Sequence, residues 1–285
     1  MDERIQNAYR LMDPCTLCPR RCKVHRLKGE VGFCGIGALP VVSSAGPHWG
    51  EESVLVGQGG SGTIFFAGCN LGCVFCQNFD ISHGKAGHAA SPEQIAEAML
   101  QLQRIGCINT NYVTPTHVTP YIMEAIAIAR GRGLREPTVY NCGGYESLET
   151  LRLLEGFIDI YMPDTKFADP ETSAELCHAR DYPEVNRAAL KEMHRQVGDL
   201  AIENGVAKRG LLVRHLVMPN DACRSLEVMD FLANVISPNT FVNVMDQYRP
   251  VFKAREHAKI ARPITADEFS RVRLYAQKKG LRLAD

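Results

Sequence analysis

Surplus charge of either sign is missing from this sequence: 32 Lys and Arg balance 32 Asp and Glu, for a formal net charge of +0. The basic residues are dispersed, so nothing points to a nucleic-acid or polyanion partner. Long apolar runs are missing too, since none approaches the roughly 20 residues of a membrane-crossing helix. There is no internal repeat and no low-complexity segment. The first residues, Met-Asp-Glu-Arg, lack the basic-then-apolar pattern of an export signal. The expectation is a cytoplasmic protein with no membrane and no nucleic-acid partner. In a reducing compartment its cysteines are expected to bind metal rather than to pair as disulfides.

Cysteine is what the chain has in quantity, 11 in 285 residues. The most informative run is Gly68-Cys69-Asn70-Leu71-Gly72-Cys73-Val74-Phe75-Cys76, directly after the apolar segment Thr63-Ile64-Phe65-Phe66-Ala67. Three thiolates on one short loop can hold three corners of a cubic iron–sulfur cluster and leave the fourth iron open to a substrate. A structural zinc site wants four ligands, and the only further candidate nearby is His83.

Strand signals fall at Thr63–Gly68, Ile108–Thr114, Pro137–Cys142, Phe157–Pro163, Gly210–Met218 and Thr240–Met245. Helix signals alternate with them. Ser91-Pro92-Glu93-Gln94 is an N-cap with a capping-box Gln, Thr119-Pro120 opens a second helix, and Thr265…Glu268 caps the last. Further helices are expected around Ser147–Gly156, Pro183–Asn204 and Arg224–Ile236. Six alternating strand–helix units predict an α/β fold with a parallel sheet. Full eight-fold closure would need more strands, so a partial, six-unit barrel is expected over 61–285, preceded by a Cys-rich module over 1–60. In such a barrel, functional groups lie after the C-terminal ends of strands. The clusters Thr114-Pro115-Thr116-His117, Asn141-Cys142-Gly143-Gly144 and Asp164-Thr165-Lys166 obey that rule, as do Arg214-His215 and Gln247-Tyr248-Arg249.

The spacing Cys69-x3-Cys73-x2-Cys76, with Phe75 before the last thiol, resembles the signature of radical S-adenosylmethionine (SAM) enzymes. That resemblance implies a partial (β/α)6 TIM-type barrel, a [4Fe-4S] cluster on the three thiols, and SAM on the open iron. It also implies reductive cleavage of SAM to a 5′-deoxyadenosyl radical that abstracts hydrogen from a substrate. Phe75 is expected beside the adenine or the cluster.

The stretch from Cys15 to about Arg262 is similar to the PflX-like subgroup, relatives of pyruvate formate-lyase activating enzyme. The phrases that carry the similarity include Val113-Thr114-Pro115-Thr116-His117, Asp159-Ile160-Tyr161-Met162-Pro163-Asp164 and Glu192-Met193-His194-Arg195-Gln196-Val197-Gly198. Where the activating enzymes hold the SAM amino group with Gly-Gly-Glu-Pro, this chain has Thr114 and Thr116 and no carboxylate. Their Asp-Thr-Asn-Gly corresponds to Asn141-Cys142-Gly143-Gly144. Met162, Asp164 and Lys166 match a Met-x-Asp-x-Lys pattern, and Arg214 matches an Arg that reaches the SAM region. The resemblance thus implies SAM-binding roles for Asn141, Gly143, Asp164, Lys166 and Arg214, and a possible monovalent cation that Asn141, in place of an Asp, would hold less well. It further implies a reductant such as flavodoxin or ferredoxin, and a protein or peptide substrate, glycyl-radical activation being one case. No catalytic residue is assigned. The alternatives are a small-molecule substrate for the same chemistry, or a two-cluster electron carrier without SAM turnover.

A second set, Cys15-x2-Cys18-x3-Cys22 followed by Cys34, offers four thiols. That is enough for a closed Zn²⁺ site or an auxiliary [4Fe-4S] cluster. Cys107, Cys142, Cys177 and Cys223 are isolated and are expected to pack as small apolar residues. The segment His48-Trp49-Gly50-Glu51-Glu52 is expected either to dock the N-terminal module on the barrel or to face the substrate.

Overall fold

Short segments of buried, largely β-branched and aromatic residues build the sheet, since a parallel strand is covered on both faces. The computed structural model describes residues 2–284. In chain order the first elements are α1 (Glu3–Arg10), β1 (Val41–His48), α2 (Ser53–Val56), β2 (Ser61–Phe66), α3 (Phe79–Ser82), β3 (His88–Ala89) and α4 (Pro92–Arg104). Next are β4 (Thr110–Val113), α5 (Thr119–Gly131), β5 (Thr138–Cys142), α6 (Leu148–Leu153), β6 (Ile160–Pro163), α7 (Pro170–Cys177) and α8 (Tyr182–Val197). The remainder are β7 (Ala201–Glu203), β8 (Val206–Leu216), α9 (Ser225–Phe231), β9 (Phe241–Met245), α10 (Ala266–Lys278) and β10 (Arg282–Leu283).

The sheet runs β10-β9-β8-β6-β5-β4-β2-β1-β3, with β7 beside β8. The stretch from β2 to β10 is parallel throughout, and β1 joins β2 antiparallel. The two ends of this order do not pair with each other, so the sheet curls but stays open. This is the expected α/β partial barrel. Ser91 caps α4 reciprocally with Gln94, and Thr265 caps α10 with Glu268, as their sequences predict.

Two departures have local causes. The helix expected over 183–204 stops at Val197, where Gly198 takes a positive φ of 73°. The chain then makes the β7–β8 hairpin, whose turn residues Asn204 and Gly205 both have positive φ, as a two-residue type I′ turn requires. The second concerns the N-terminal segment. Residues 41–48 form β1 and lie in the barrel sheet itself, opposite 61–66. Residues ahead of β1 are pinned to the barrel by polar hooks: Thr150 Oγ1 donates to the Leu17 carbonyl at 2.6 Å and Tyr121 donates to Ala38.

Candidate functional site

Strand β2 ends at Phe66 and delivers the chain into the loop that carries Cys69, Cys73 and Cys76. Gly68 turns it with φ +79°, and a side chain there would strike the Cys34 carbonyl at 2.6 Å. The loop is then anchored on both sides, Val74 donating to the Leu176 carbonyl at 2.9 Å and accepting from the Lys253 amide at 2.9 Å. Phe75 is buried and packs edge-on against Phe167, with ring centroids 5.9 Å apart. Each thiol has a neighbour. The Leu71 amide donates to Cys69 Sγ at 3.3 Å, Cys177 Sγ lies 3.2 Å from Cys73 Sγ, and Ser82 Oγ lies 3.2 Å from Cys76 Sγ. Together the three thiols face a cavity of about 310 Å³.

The same cavity collects residues from the ends of β4, β5, β6 and β8: Thr114, Asn141, Gly143, Asp164, Lys166 and Arg214. Lys166 Nζ meets Asp164 Oδ2 at 2.5 Å. Burial works against that ammonium, but Asp164 and Cys73 outweigh it and hold the lysine pKa above its usual value. Arg214 lies 3.1 Å from Glu51, 3.6 Å from Glu52 and 4.0 Å from Asp164, and its Nε has no hydrogen-bond partner although buried. Thr114 sits at φ +59°, rare for a β-branched residue and the kind of strain that persists at working sites. Thr116 does not reach this cavity. The 3₁₀ turn that starts there rotates it inward, and its hydroxyl donates to Glu146 Oε1 at 2.7 Å. Of the strand-end residues expected at the site, it alone is turned away.

Cys15, Cys18, Cys22 and Cys34 line one separate cavity with Arg26, Gly32, Asn70 and His117. Gly32 has no alternative here, because a Cβ would stand 2.8 Å from Cys22 Sγ. Two buried nitrogens on its walls lack partners, Arg26 Nη2 and His117 Nδ1. An unpaired guanidinium N–H in an apolar wall is costly unless something anionic accepts from it. Among the described residues, no three His, Cys, Asp or Glu side chains are grouped to hold a single metal ion. Both thiol sets line hollows, the four-thiol one of only about 10 Å³, and thiols beside an orphaned N–H are the donor chemistry that an anionic cluster uses.

The Radical SAM superfamily model matches residues 63–232, more than half of the chain. The chain belongs to the radical SAM superfamily. Among curated proteins it is similar to the uncharacterized protein MJ0674 of Methanocaldococcus jannaschii, 33% identical over 291 residues, 99% of this chain and 80% of that one. Uncharacterized protein MJ0808 of the same organism is 26% identical over 163 residues, 49% of this chain and 46% of its own. The FeFe-hydrogenase maturase HydG from Carboxydothermus hydrogenoformans matches with a TM-score of 0.55 at 13% identity, over 77% of this chain and 51% of that chain. Streptococcus suis SuiB bound to S-adenosylmethionine gives 0.50 at 13% identity, over 79% and 45%. At that identity these two show the fold alone, and this chain spans about half the length of each. Superfamily membership implies SAM cleavage at a [4Fe-4S] cluster.

Several residues of this radical SAM barrel carry no motif of their own. Glu51, between β1 and α2, lines the cavity, and burial pushes its carboxyl pKa up despite Arg214. In the segment His48–Glu52, His48 and Glu51 face the cavity, and Glu52 accepts from Asn243 Nδ2 at 2.8 Å. Cys177 is buried, as expected, but beside a loop thiol rather than in an apolar niche. Cys142 lines the cavity next to the buried Glu146, whose pKa burial raises to about 7. His215 is a core histidine, satisfied by the Thr165 carbonyl at 2.6 Å and Ser225 Oγ at 2.9 Å.

Proposed function

We propose that Cys69, Cys73 and Cys76 hold the [4Fe-4S] cluster and that the adjoining cavity of about 310 Å³ seats SAM. One observation carries this reading: groups from the ends of β4, β5, β6 and β8, with Met245 and Gln247 from the end of β9, converge with the three thiols on that single cavity. Its volume lies at the small end of the roughly 300–1,000 Å³ usual for ligand sites. When bound, cluster and SAM supply the 5′-deoxyadenosyl radical by one-electron reduction.

The chain's own residues position the cofactor. The strained turn at Thr114 presents its polar groups where the activating enzymes hold the SAM ammonium. Lys166 and Arg214 offer fixed positive charge to a carboxylate, and Asn141 with Gly143 closes the wall between them. Asp164 is already matched by these two cations, so we propose that they take the place of a monovalent ion. Phe75, wedged against Phe167, stiffens the loop. Thr116 acts indirectly, holding Glu146 beneath Cys142.

For the four N-terminal thiols we propose a second [4Fe-4S] cluster rather than zinc. The support is the shared cavity, the orphaned Arg26 N–H and the close-fitting Gly32. The hydrogen donor we propose is a protein or peptide, glycyl-radical activation included, on the strength of the PflX-like phrases. The electron source is a ferredoxin or flavodoxin.

The test is anaerobic reconstitution followed by reduction in the presence of SAM. Wild-type protein should release 5′-deoxyadenosine and the Cys76→Ala variant should not. Equal, background-level product from both would overturn the reading.

A further inference from the structure

A surface groove of about 280 Å³ opens where the two thiol sites approach each other, with Cys34 of one and Cys69 of the other in its wall. Its charge is one-sided. His83, Lys85, His178 and Lys253 line it and no carboxylate does. None of the four side chains is ion-paired among the described residues. Burial, then Lys253, His178 and Lys85, lower the His83 pKa and keep that imidazole neutral, so Lys85 and Lys253 are the groove's fixed charges and both stand within reach of His83. In a chain of net charge +0 such an unpaired group is a local field, not a general property.

Aromatic surface lies among the cations. Phe33 is 45% exposed and Phe252 is 37% exposed, and Val31 and Leu39 of the same N-terminal stretch are 56% and 48% exposed. Exposed apolar groups rimmed by one sign of charge mark a protein interface rather than a small-anion pocket. The groove wall also connects inward. His83 Nδ1 is 2.9 Å from Ser82 Oγ, which is 3.2 Å from Cys76 Sγ, so two hydrogen bonds join the groove to a loop thiol.

We propose that this groove docks an acidic one-electron carrier protein of the ferredoxin or flavodoxin class, which delivers its electron there. The inference rests on the cluster assignment to Cys69, Cys73 and Cys76. One electron leaves the reduced carrier, which is oxidised by one, and the cluster is reduced by one; no proton or group moves. A substrate for the radical needs the SAM cavity, whereas an electron donor needs a surface approach to a cluster, which this groove gives beside Cys69. Charge complementarity fixes the partner as acidic.

The experiment compares wild-type protein with Lys85→Glu/Lys253→Glu, both reconstituted, in 5′-deoxyadenosine formation driven by reduced flavodoxin or by photoreduced deazaflavin, which is small and uncharged. With flavodoxin the double variant should be about ten-fold slower or more, and the steep salt dependence of the wild type should flatten. With deazaflavin the two should be equal, and Lys278→Glu, on the exposed face of α10, should match wild type with both. Unchanged flavodoxin rates would overturn the proposal. So would equal losses with both reductants, which would place the groove in SAM or substrate binding or in folding. Wild-type protein inactive with deazaflavin would instead refute the proposed function.

Discussion

Glu146 is the most consequential buried charge that no motif announces. It is 2% exposed and accepts from Thr116 at 2.7 Å and Tyr140 at 3.2 Å, yet burial raises its pKa from 4.5 to about 7. A carboxyl whose folded pKa is raised contributes stability fully below about pH 4.5 and loses it as pH rises through about 7. The span corresponds to on the order of 3 kcal/mol. Glu146→Gln should therefore lose that slope and be the more stable protein at pH 8, as read by anaerobic denaturation at pH 5 and pH 8. An unchanged pH slope in the variant would contradict this.

At this scale the sequence was partly legible. Asp164, Lys166 and Arg214 stood out through their strand-end placement and the resemblance to the activating enzymes, and the structure pairs them with one another. Glu51 did not, because it comes from the β1–α2 connection, far along the chain from the strand ends it joins. Cys177 was hidden by separation: it closes α7, 104 positions after Cys73, with no local pattern to link them. Thr116 was misplaced because spacing after β4 says nothing about the 3₁₀ turn that rotates it away.

Among the elements, six of the seven parallel strands were readable because burial on both faces favours apolar runs, while the two-residue β10 was too short to signal itself. β1 was not, since Val-Val-Ser-Ser-Ala-Gly-Pro-His is half exposed and rich in turn residues. The β7–β8 hairpin was missed although Asn204-Gly205 is its direct signal; the preceding helical pattern masked it. How tightly the strand ends are joined shows at Gly144. Its φ is +72°, and a Cβ would lie 2.1 Å from the Asp164 carbonyl and 2.2 Å from Asn186 Nδ2. Asn186 on α8 ties these ends together, donating to Gly144 O at 3.0 Å and Asp164 O at 2.9 Å. Gly144→Ala should therefore push the β5 and β6 ends apart. We expect it to cost about 2 kcal/mol or more of stability and to weaken SAM binding at least ten-fold. Isothermal titration of the reconstituted variant checks it, and wild-type affinity would refute the close fit.

Across the whole molecule, the N-terminal cysteines and the radical loop prove to be neighbours. Arg20 joins them, donating to Asn70 O at 2.9 Å and Cys177 O at 3.1 Å while its guanidinium stacks 3.9 Å above Phe33. Asn70 itself lines the four-thiol cavity while Cys69 and Leu71 line the cavity proposed for SAM. No sequence spacing reveals that adjacency, because it depends on 2–40 folding back over the barrel. Membership of the radical SAM superfamily accounts for one cluster, and the central claim is that this chain pairs it with a second, closed one. Electron paramagnetic resonance of the reduced, reconstituted protein, with and without SAM, tests that claim most directly. The account predicts two cubane signals, of which SAM perturbs only one, and loss of the unperturbed one in Cys18→Ala. A single signal in the wild type, with stoichiometric zinc in the same sample, would contradict it.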